Sequence, residues 1–325
     1  MAQKKVGIVL VNLGSPQTPT RKHVRQFLAE FLTDWRVIEL PFLLRILLVK
    51  GFIVPFRTAN STKLYKKIWR PEGSPLIYYS GRLARQLQKF YHETAQLEVR
   101  LAMRYGQPSM AHVLAQLHRS QIDKLIILPL YPQYSATTTA SIFDEATRII
   151  TRWRSIPELH FINSYATSPA YIAALAESIE QQWQTTGQPE HLLFSLHGIP
   201  QDYAASGDPY PVQCQKTTEL VAQKLKLKPE QWTLVYQSRL GPRPWLQPYC
   251  DETLINLANK GVKHVDVVCP GFAVDCLETL EEVALANKKL FLKAGGSQFN
   301  YIPALNDSQE HVKVLASLLD KMLEQ

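Results

Sequence analysis

Eight short apolar runs are spaced along the chain, and longer amphipathic stretches separate most of them. The runs cover residues 6–14, 97–106, 124–132 and 158–165, and then 191–198, 232–241, 264–272 and 298–305. Continuously apolar runs are typical of parallel strands that are buried on both faces of a sheet. Stretches such as 174–184 and 217–227 have a helical pattern. Repeated strand–helix units of this kind predict two similar, doubly wound (Rossmann-like) α/β domains with parallel sheets.

The length of the chain also favours two domains, because 325 residues exceed what a single hydrophobic core usually organises. We predict a first α/β domain over residues 1–163 and a second over residues 164–305. Residues 306–325 are predicted to form a C-terminal helix that packs back on the first domain.

The fifth run ends at a titratable residue, His197, within the stretch LFSLHGIP. In open α/β sheets, ligands bind beyond the carboxyl ends of the strands, which is where this imidazole is expected. A core histidine hydrogen-bonded to a backbone carbonyl is the structural alternative. Gly198 permits a close approach of a ligand, and Pro200 argues against a helix that starts at once.

A row of carboxylates follows the seventh run. Asp275, Glu278 and Glu282 are spaced i, i+3 and i+7, which places them on one face of an α-helix predicted to begin near residues 273–275. The row is either a solvated acidic face at a helix N-terminus, a set of oxygen ligands for a hard cation, or a general base beside His197.

Two further stretches contain polar groups at strand ends. Hydroxyl groups in residues 131–141 are typical of helix caps. Arg239 and Arg243 accompany Trp245, which indicates either a rigid proline-rich loop or an aromatic face with cations for a flat, acidic ligand.

Charge and cysteine content narrow the class of protein. A net charge of +8 is compatible with an anionic substrate or an anionic membrane surface. Nucleic acid is disfavoured, because no compact run of Lys and Arg is interleaved with aromatic residues. The four cysteines show no C-x-x-C spacing and follow no secretory signal, so we expect free thiols in a reducing cytoplasm, without a zinc site or an iron–sulfur cluster.

Residues 37–56 are apolar but are interrupted by charges, proline and glycine. The stretch is too polar to span a bilayer. It is either a helix packed into the core or an amphipathic lip that contacts a membrane or an apolar ligand.

An ordered set of short stretches carries a family resemblance. They are VNLGSPQTP, MRYGQP, LPLYPQYSATTTAS, SLHGIP, GDPYP, QSRLGPRPWL and CPGFAVDCLETLEE, between residues 11 and 282. In these stretches the sequence resembles the ferrochelatases, which insert ferrous iron into protoporphyrin IX in the last step of haem synthesis, and it is most similar to the shorter bacterial members. The resemblance implies a chelatase-like fold, with a porphyrin cleft between the two domains.

The resemblance also implies site residues. His197 matches the family histidine that acts as pyrrole proton acceptor, metal ligand or both, and Glu278 matches the carboxylate that faces it. Asp275 matches an acidic neighbour and Glu282 the next step of an acidic ladder. The residues that match porphyrin contacts are Leu13, Arg104, Tyr105, Tyr134, Trp245 and Phe272.

Three positions depart from the family pattern. Ala286 stands where a third ladder carboxylate is expected, and Cys276 stands where animal members have a second histidine. Ala136 replaces a cysteine of the cluster-bearing members, so no tightly bound cofactor is expected, and Fe²⁺ is a substrate.

Several alternatives remain open from the sequence. One is iron insertion into coproporphyrin III, and another is cobalt insertion into a different tetrapyrrole. Against cobalt, the stretch CPGFAVDCLETLEE contains Cys276 and no histidine, which favours iron. A solute-binding protein or a two-domain glycosyltransferase would share the architecture without requiring an imidazole that faces a carboxylate. The predicted partners are protoporphyrin IX and Fe²⁺, with peripheral membrane contact, in a cytoplasmic monomer or homodimer.

Overall fold

The computed structural model describes residues 4–92, 96–241 and 243–324. The chain forms two α/β units: the described residues of 1–131, 135–163 and 315–325 make up the first, and residues 132–134 and 164–314 make up the second. Relative to the predicted domain ranges, residues 132–134 and 306–314 lie in the second unit. The predicted C-terminal helix therefore contributes residues to both units, because its first turns pack with the second unit and its later turns with the first.

Each unit is built on a four-stranded parallel sheet. The strands are β1 Val6–Asn12, β2 Leu97–Met103, β3 Lys124–Pro129, β4 Glu158–Phe161, β5 His191–His197, β6 Trp232–Gln237, β7 His264–Val268 and β8 Gln298–Ile302. All eight predicted strands are confirmed. Each strand ends one to four residues before its apolar run does, so the remainder of each run lies in a loop at the carboxyl edge of its sheet.

Helices connect the strands. The α-helices are α1 Arg21–Leu32, α2 Phe42–Ile46, α3 Val54–Ile68, α4 Pro75–Phe90, α5 Met110–Arg119, α6 Ser141–Ile150, α7 Pro169–Thr186, α8 Gln201–Ala205, α9 Tyr210–Lys224, α10 Cys250–Asn259, α11 Lys288–Lys293 and α12 Gln309–Leu323. The described residues also form three π-helical segments, π1 Leu47–Ile53, π2 Ala136–Ala140 and π3 Glu278–Asn287, and a 3₁₀ turn, Pro229–Gln231. The expectation that no helix follows Pro200 directly is wrong: α8 begins at the next residue, because a proline before the first turn removes no helical hydrogen bond.

The central strands β1, β3 and β5 are largely apolar because both faces of each sheet are covered at its centre. All six residues of β3 and the first six of β5 are buried. In the first unit Leu125 and Ile127 pack with Leu114 of α5, and in the second unit Leu193 and Val267 belong to the cluster that contains α10 and α11 side chains. Truncating such a fully buried leucine to alanine typically costs about 2–5 kcal/mol of stability.

The two sheets share one topology, and it determines where a ligand is expected. The strand orders β2-β1-β3-β4 and β6-β5-β7-β8 are equivalent. In both, the chain reverses direction across the sheet between the first and third strands of the unit, and ligands of open α/β sheets bind at the carboxyl edge of such a switch point. In the second unit that point lies between β5, which ends at His197, and β7, which precedes the carboxylates.

The helix that carries these carboxylates differs from the prediction. An α-helix from residues 273–275 is wrong: residues 271–276 form a turn, and the segment from Glu278 to Asn287 is a π-helix. π-Helical turns are rare and are frequent at functional sites. The turn precedes the helix because the Asp275 carboxylate is hydrogen-bonded to β8 and to the loop after it.

Residues 42–56 form α2, π1 and the start of α3, and much of this apolar stretch is exposed. Leu43 is 79% and Phe56 80% exposed, whereas Val49 is fully buried and anchors the segment. The structure therefore favours the exposed lip over the core-packed helix. Within the described residues, no helix is both long enough and apolar enough to cross a membrane.

Candidate active site

His197 is the last residue of β5, and its ring is half-buried at the carboxyl edge of the second sheet. Its Nδ1 lies 2.7 Å from the carbonyl oxygen of Gly198. A carbonyl can only accept a hydrogen bond, so Nδ1 carries the proton in the neutral ring and Nε2 keeps a lone pair. That lone pair can take a proton or bind a metal ion.

Glu282 of π3 interacts electrostatically with both His197 and Glu278. The backbone N–H of Ser238 donates to Glu282 Oε1 at 2.8 Å, and the Ser238 hydroxyl donates to Oε2. Burial raises the pKa of Glu282 and the charge of Glu278 raises it further, against the opposing effects of Ser238 and His197. A carboxylate in this setting can exchange a proton more readily than an exposed glutamate can.

Glu278 lies beside Cys276. Burial raises the pKa of the Cys276 thiol well above its usual value, and the negative charge of Glu278 and a hydrogen bond to it act in the same direction. The thiol therefore stays protonated and donates toward Glu278. Because the thiolate is the form that binds soft metals, Cys276 does not replace the missing second histidine as a ligand.

Asp275 does not share the surroundings of Glu278 and Glu282. Its carboxylate accepts hydrogen bonds from Tyr301, Thr279 and Asn306, and the residue is 4% exposed. The predicted row of three carboxylates is thus divided. Glu278 and Glu282 interact electrostatically with each other, whereas Asp275 is hydrogen-bonded to β8 and to the loop that follows it.

Trp245 packs against Gly198, the residue after the histidine. A Cβ atom placed on Gly198 would lie 3.2 Å from Trp245 Cε3 and 3.1 Å from the carbonyl oxygen of Gln237. A side chain at this position would therefore have to displace the indole or the carbonyl by a few tenths of an ångström. The Trp245 indole donates to the Leu240 carbonyl at 2.9 Å, which fixes the ring within its loop.

The remaining predicted residues of the second unit are half-buried. Phe272 packs against the apolar cluster of the second sheet, and its N–H donates to the Cys269 carbonyl. The N–H of Tyr134 donates to Gln213 Oε1 at 2.8 Å.

The arginines of the stretch 237–246 face acidic groups. Arg239 pairs with Asp251 and Glu252, and Arg243 lies 3.9 Å from Asp202. Pro242 of this stretch lies outside the described residues. For Arg239 these contacts favour the rigid-loop interpretation over a ligand contact.

In the first unit, Arg104 and Tyr105 follow β2 and converge on Asp34. The Arg104 guanidinium and the Tyr105 hydroxyl donate to Asp34 Oδ2 at 2.5 and 2.7 Å, and the Ser141 hydroxyl donates to the same atom at 2.6 Å. Burial alone would raise the pKa of Asp34, but Ser141 and Arg104 outweigh it, and the pKa lies below its usual value. Burial raises the pKa of Tyr105. Leu13 follows β1 and is half-buried.

Comparison with known proteins identifies the family. The family described as Ferrochelatase matches residues 5–323. The ferrochelatase of Sodalis glossinidius is 48% identical over 323 residues, with 99% of this chain and 96% of that protein covered. The ferrochelatase of Edwardsiella ictaluri is 49% identical over 319 residues, with 98% of each chain covered. The chain belongs to the ferrochelatase family.

As a ferrochelatase-family enzyme the chain is a metal-inserting lyase that acts on a porphyrin and ferrous iron in haem synthesis. The predicted family and reaction class are confirmed. A solved structure, SirB from Bacillus subtilis with Fe³⁺, has a TM-score of 0.58 at 10% identity and covers 98% of this chain and 96% of that one. At this identity the likeness supports the fold, two α/β units of the chelatase type.

Sequence reasoning missed two polar residues that this ferrochelatase-family site contains. Ser238 holds Glu282, and Gln237, at the end of β6, has a buried amide nitrogen without a hydrogen-bond partner among the described residues. Both follow the rule that functional groups gather at the carboxyl ends of parallel strands. The same rule that predicted His197 at the end of β5 therefore also points to Gln237 and Ser238 at the end of β6.

Proposed function

We propose that this chain inserts Fe²⁺ into protoporphyrin IX to form protohaem, with release of the two pyrrole protons. The observation that carries the proposal is the His197 ring, whose Nδ1–H donates to the Gly198 carbonyl and leaves a lone pair on Nε2, and which interacts electrostatically with the Glu282 carboxylate. Removing pyrrole protons requires a base that is neutral near ambient pH, and imidazole suits this requirement.

In this mechanism His197 Nε2 takes a pyrrole proton as the metal enters. The imidazolium that forms is stabilised by the negative charge of Glu282, which interacts with His197 and also with Glu278. Glu282 can pass the proton onward, since burial makes its carboxylate a better proton acceptor than an exposed one. Alternatively, Nε2 and Glu278 bind Fe²⁺ directly, which suits imidazole and carboxylate ligands. The same lone pair serves both roles, so it cannot do both at once.

The porphyrin contacts remain proposals drawn from the family resemblance. They are Leu13, Arg104, Tyr105, Tyr134, Trp245 and Phe272. Trp245 has the strongest support, because its ring packs on Gly198 next to the proposed base. Tyr105 has the least, because its side chain is 1% exposed and its hydroxyl is hydrogen-bonded to Asp34.

Anaerobic addition of Fe²⁺ and protoporphyrin IX to the purified protein tests the activity, because insertion quenches the porphyrin fluorescence. His197→Ala should lower turnover by at least about 10²-fold in a folded protein. A folded variant that keeps more than about a third of the wild-type turnover would contradict the role of His197. Parallel measurements with coproporphyrin III compare kcat/KM for the two porphyrins, and a higher value for coproporphyrin would replace the proposed substrate.

We also propose that the segment 42–56 contacts an anionic membrane surface peripherally. Exposed Leu43 and Phe56 offer apolar area, and Lys50 offers a cation on the same segment. Interfacial binding requires an apolar face with a few cations, and salt weakens the electrostatic part.

Sedimentation with anionic vesicles at low and high salt tests this contact. The double variant Leu43→Glu/Phe56→Glu should remain in the supernatant. Phe90→Glu, which changes another exposed aromatic residue of the first unit, should still sediment. Wild-type protein that forms a dimer and does not sediment would assign the segment to an interface between copies of the chain.

A further inference from the structure

The turn that leads into π3 is held by a reciprocal pair of hydrogen bonds. The Asp275 backbone N–H donates to Asn306 Oδ1 at 2.7 Å, and Asn306 Nδ2 donates to Asp275 Oδ2 at 2.7 Å. The other carboxylate oxygen of Asp275 accepts from Tyr301 at 2.5 Å and from Thr279 at 2.9 Å. Both oxygens of Asp275 are therefore occupied by neighbours within the second unit.

Asn306 is itself fixed by its backbone. Its φ of 50° lies in the left-handed region, which asparagine and aspartate adopt more readily than most residues. Its N–H donates to the Ala273 carbonyl at 3.1 Å, and its carbonyl accepts from His311 Nδ1 at 2.6 Å. His311 is fully buried in α12, so the loop after β8 is anchored to the helix that follows it.

We propose that Asn306 is a positioning residue for metal insertion, which acts by holding Asp275 and thereby the first turn of π3. Asp275 lies three residues before Glu278 and seven before Glu282. The position of this turn therefore sets where π3 starts, and with it the positions of the two glutamates relative to His197. The inference rests on the proposed function of those three groups. It also assigns Asp275 to this clamp and not to the binding of metal.

Asn306→Asp tests the clamp with the smallest chemical change. The substitution keeps the size, the left-handed backbone and the oxygen that accepts from the Asp275 N–H. It replaces the donating nitrogen with an oxygen and leaves two carboxylates in contact. Such a pair holds one proton to a higher pH than a single carboxylate does, because both groups cannot ionise comfortably together. With the shared proton the clamp is restored, and without it the two carboxylates repel each other.

The other titratable groups around position 306 do not mimic this behaviour. Cys269 and Tyr301 face Asp275, and burial raises the pKa of both well above neutrality. His311 faces the loop from α12 beside Asp307, and burial lowers its pKa to about 4. Cys269, Tyr301 and His311 therefore keep their charge over the neutral range, and the new carboxylate pair is the titrating group that the substitution adds.

The measurement is the ratio of kcat for Asn306→Asp to kcat for wild type between about pH 6 and about pH 8.5, with the same Fe²⁺ and protoporphyrin assay. We expect this ratio to fall by at least about tenfold as the pH rises, with the porphyrin KM unchanged within about twofold.

Asn300→Asp is the matched control. Asn300 on β8 donates to buried Asp266 at 2.8 Å, and His264 Nε2 lies 3.0 Å from both residues, so the substitution creates a carboxylate pair beside a histidine within the sheet, away from the turn before π3. Its kcat ratio to wild type should stay constant with pH. Thermal unfolding of each variant at both ends of the range checks that the protein remains folded.

The outcomes separate the two proposals. Wild type that inserts no iron overturns the proposed function, and the clamp falls with it. Active wild type with a flat Asn306→Asp ratio, whether high or low, overturns the clamp alone. Loss of the folded state of Asn306→Asp at high pH also counts against the clamp, because it would assign Asn306 to general stability.

Discussion

Replacing Ser238 with alanine removes a hydroxyl that donates to the Glu282 carboxylate and leaves the Ser238 backbone N–H in place. A hydrogen bond to a charged group is worth about 1.5–3 kcal/mol, and 1.36 kcal/mol corresponds to tenfold in a protonation equilibrium. Water can replace part of the lost bond, so the low end of this range applies. The lost bond stabilises the ionised form, and its removal raises the pKa of Glu282 further.

The consequence is a shift in the pH dependence of metal insertion. Glu282 must be ionised to stabilise the imidazolium, so the acid limb of kcat should move upward by about one pH unit in Ser238→Ala. Well above that limb the variant should approach wild-type turnover. Ser206→Ala provides the control, since Ser206 is exposed and donates to the Asp202 carbonyl. A pH-independent loss of kcat, with the acid limb unmoved, would refute the coupling of Glu282 to the reaction.

Three further predictions follow from the same structure. Glu278→Gln should lower kcat at least about 10²-fold and more than Glu282→Gln does, because an amide neither accepts a proton nor carries charge; equal, small losses would assign both groups to a solvated face. Protein prepared anaerobically should show no iron–sulfur absorption in visible spectra, and about two iron and two labile sulfides per chain would contradict this. Gly14→Ala should lower the free energy of unfolding by at least about 2 kcal/mol more than Gly73→Ala does in chemical denaturation. Both glycines have similar positive φ values, of 112° and 114°, but a Cβ on Gly14 would lie 1.8 Å from the Tyr105 carbonyl oxygen, whereas nothing lies within 4 Å of one on Gly73. Equal losses would show that this contact relaxes.

The sequence by itself determined the strands, the parallel sheets and the family. A continuously apolar strand is stable only where both of its faces are buried. The pattern extends over a few consecutive residues, so it can be recognised in the sequence. The position of His197 followed in the same way, because the end of a strand is visible in the pattern and the carboxyl edge of a parallel sheet is where ligands bind. The stretches from VNLGSPQTP to CPGFAVDCLETLEE then identified the reaction class.

Tertiary structure decided how the carboxylates divide. An α-helical spacing places Asp275, Glu278 and Glu282 on one face, but the partners of Asp275 come from β8 and from the loop after it, at Tyr301 and Asn306. Hydrogen bonds between segments this distant in sequence leave no periodic signal. They hold the turn before π3 and separate Asp275 from the two carboxylates that it precedes.

The same reason explains why the sequence alone revealed neither the role of Ser238 nor the exposure of residues 42–56. Ser238 matters because it is hydrogen-bonded to Glu282, which lies 44 residues later in the chain. The sequence after a strand is the same whether or not its serine has such a partner. For residues 42–56 the composition allowed a buried helix as well as an exposed lip, since both require apolar side chains. Only the packing around Val49, with Leu43 and Phe56 left in solvent, distinguishes them, because exposure depends on what the rest of the chain covers.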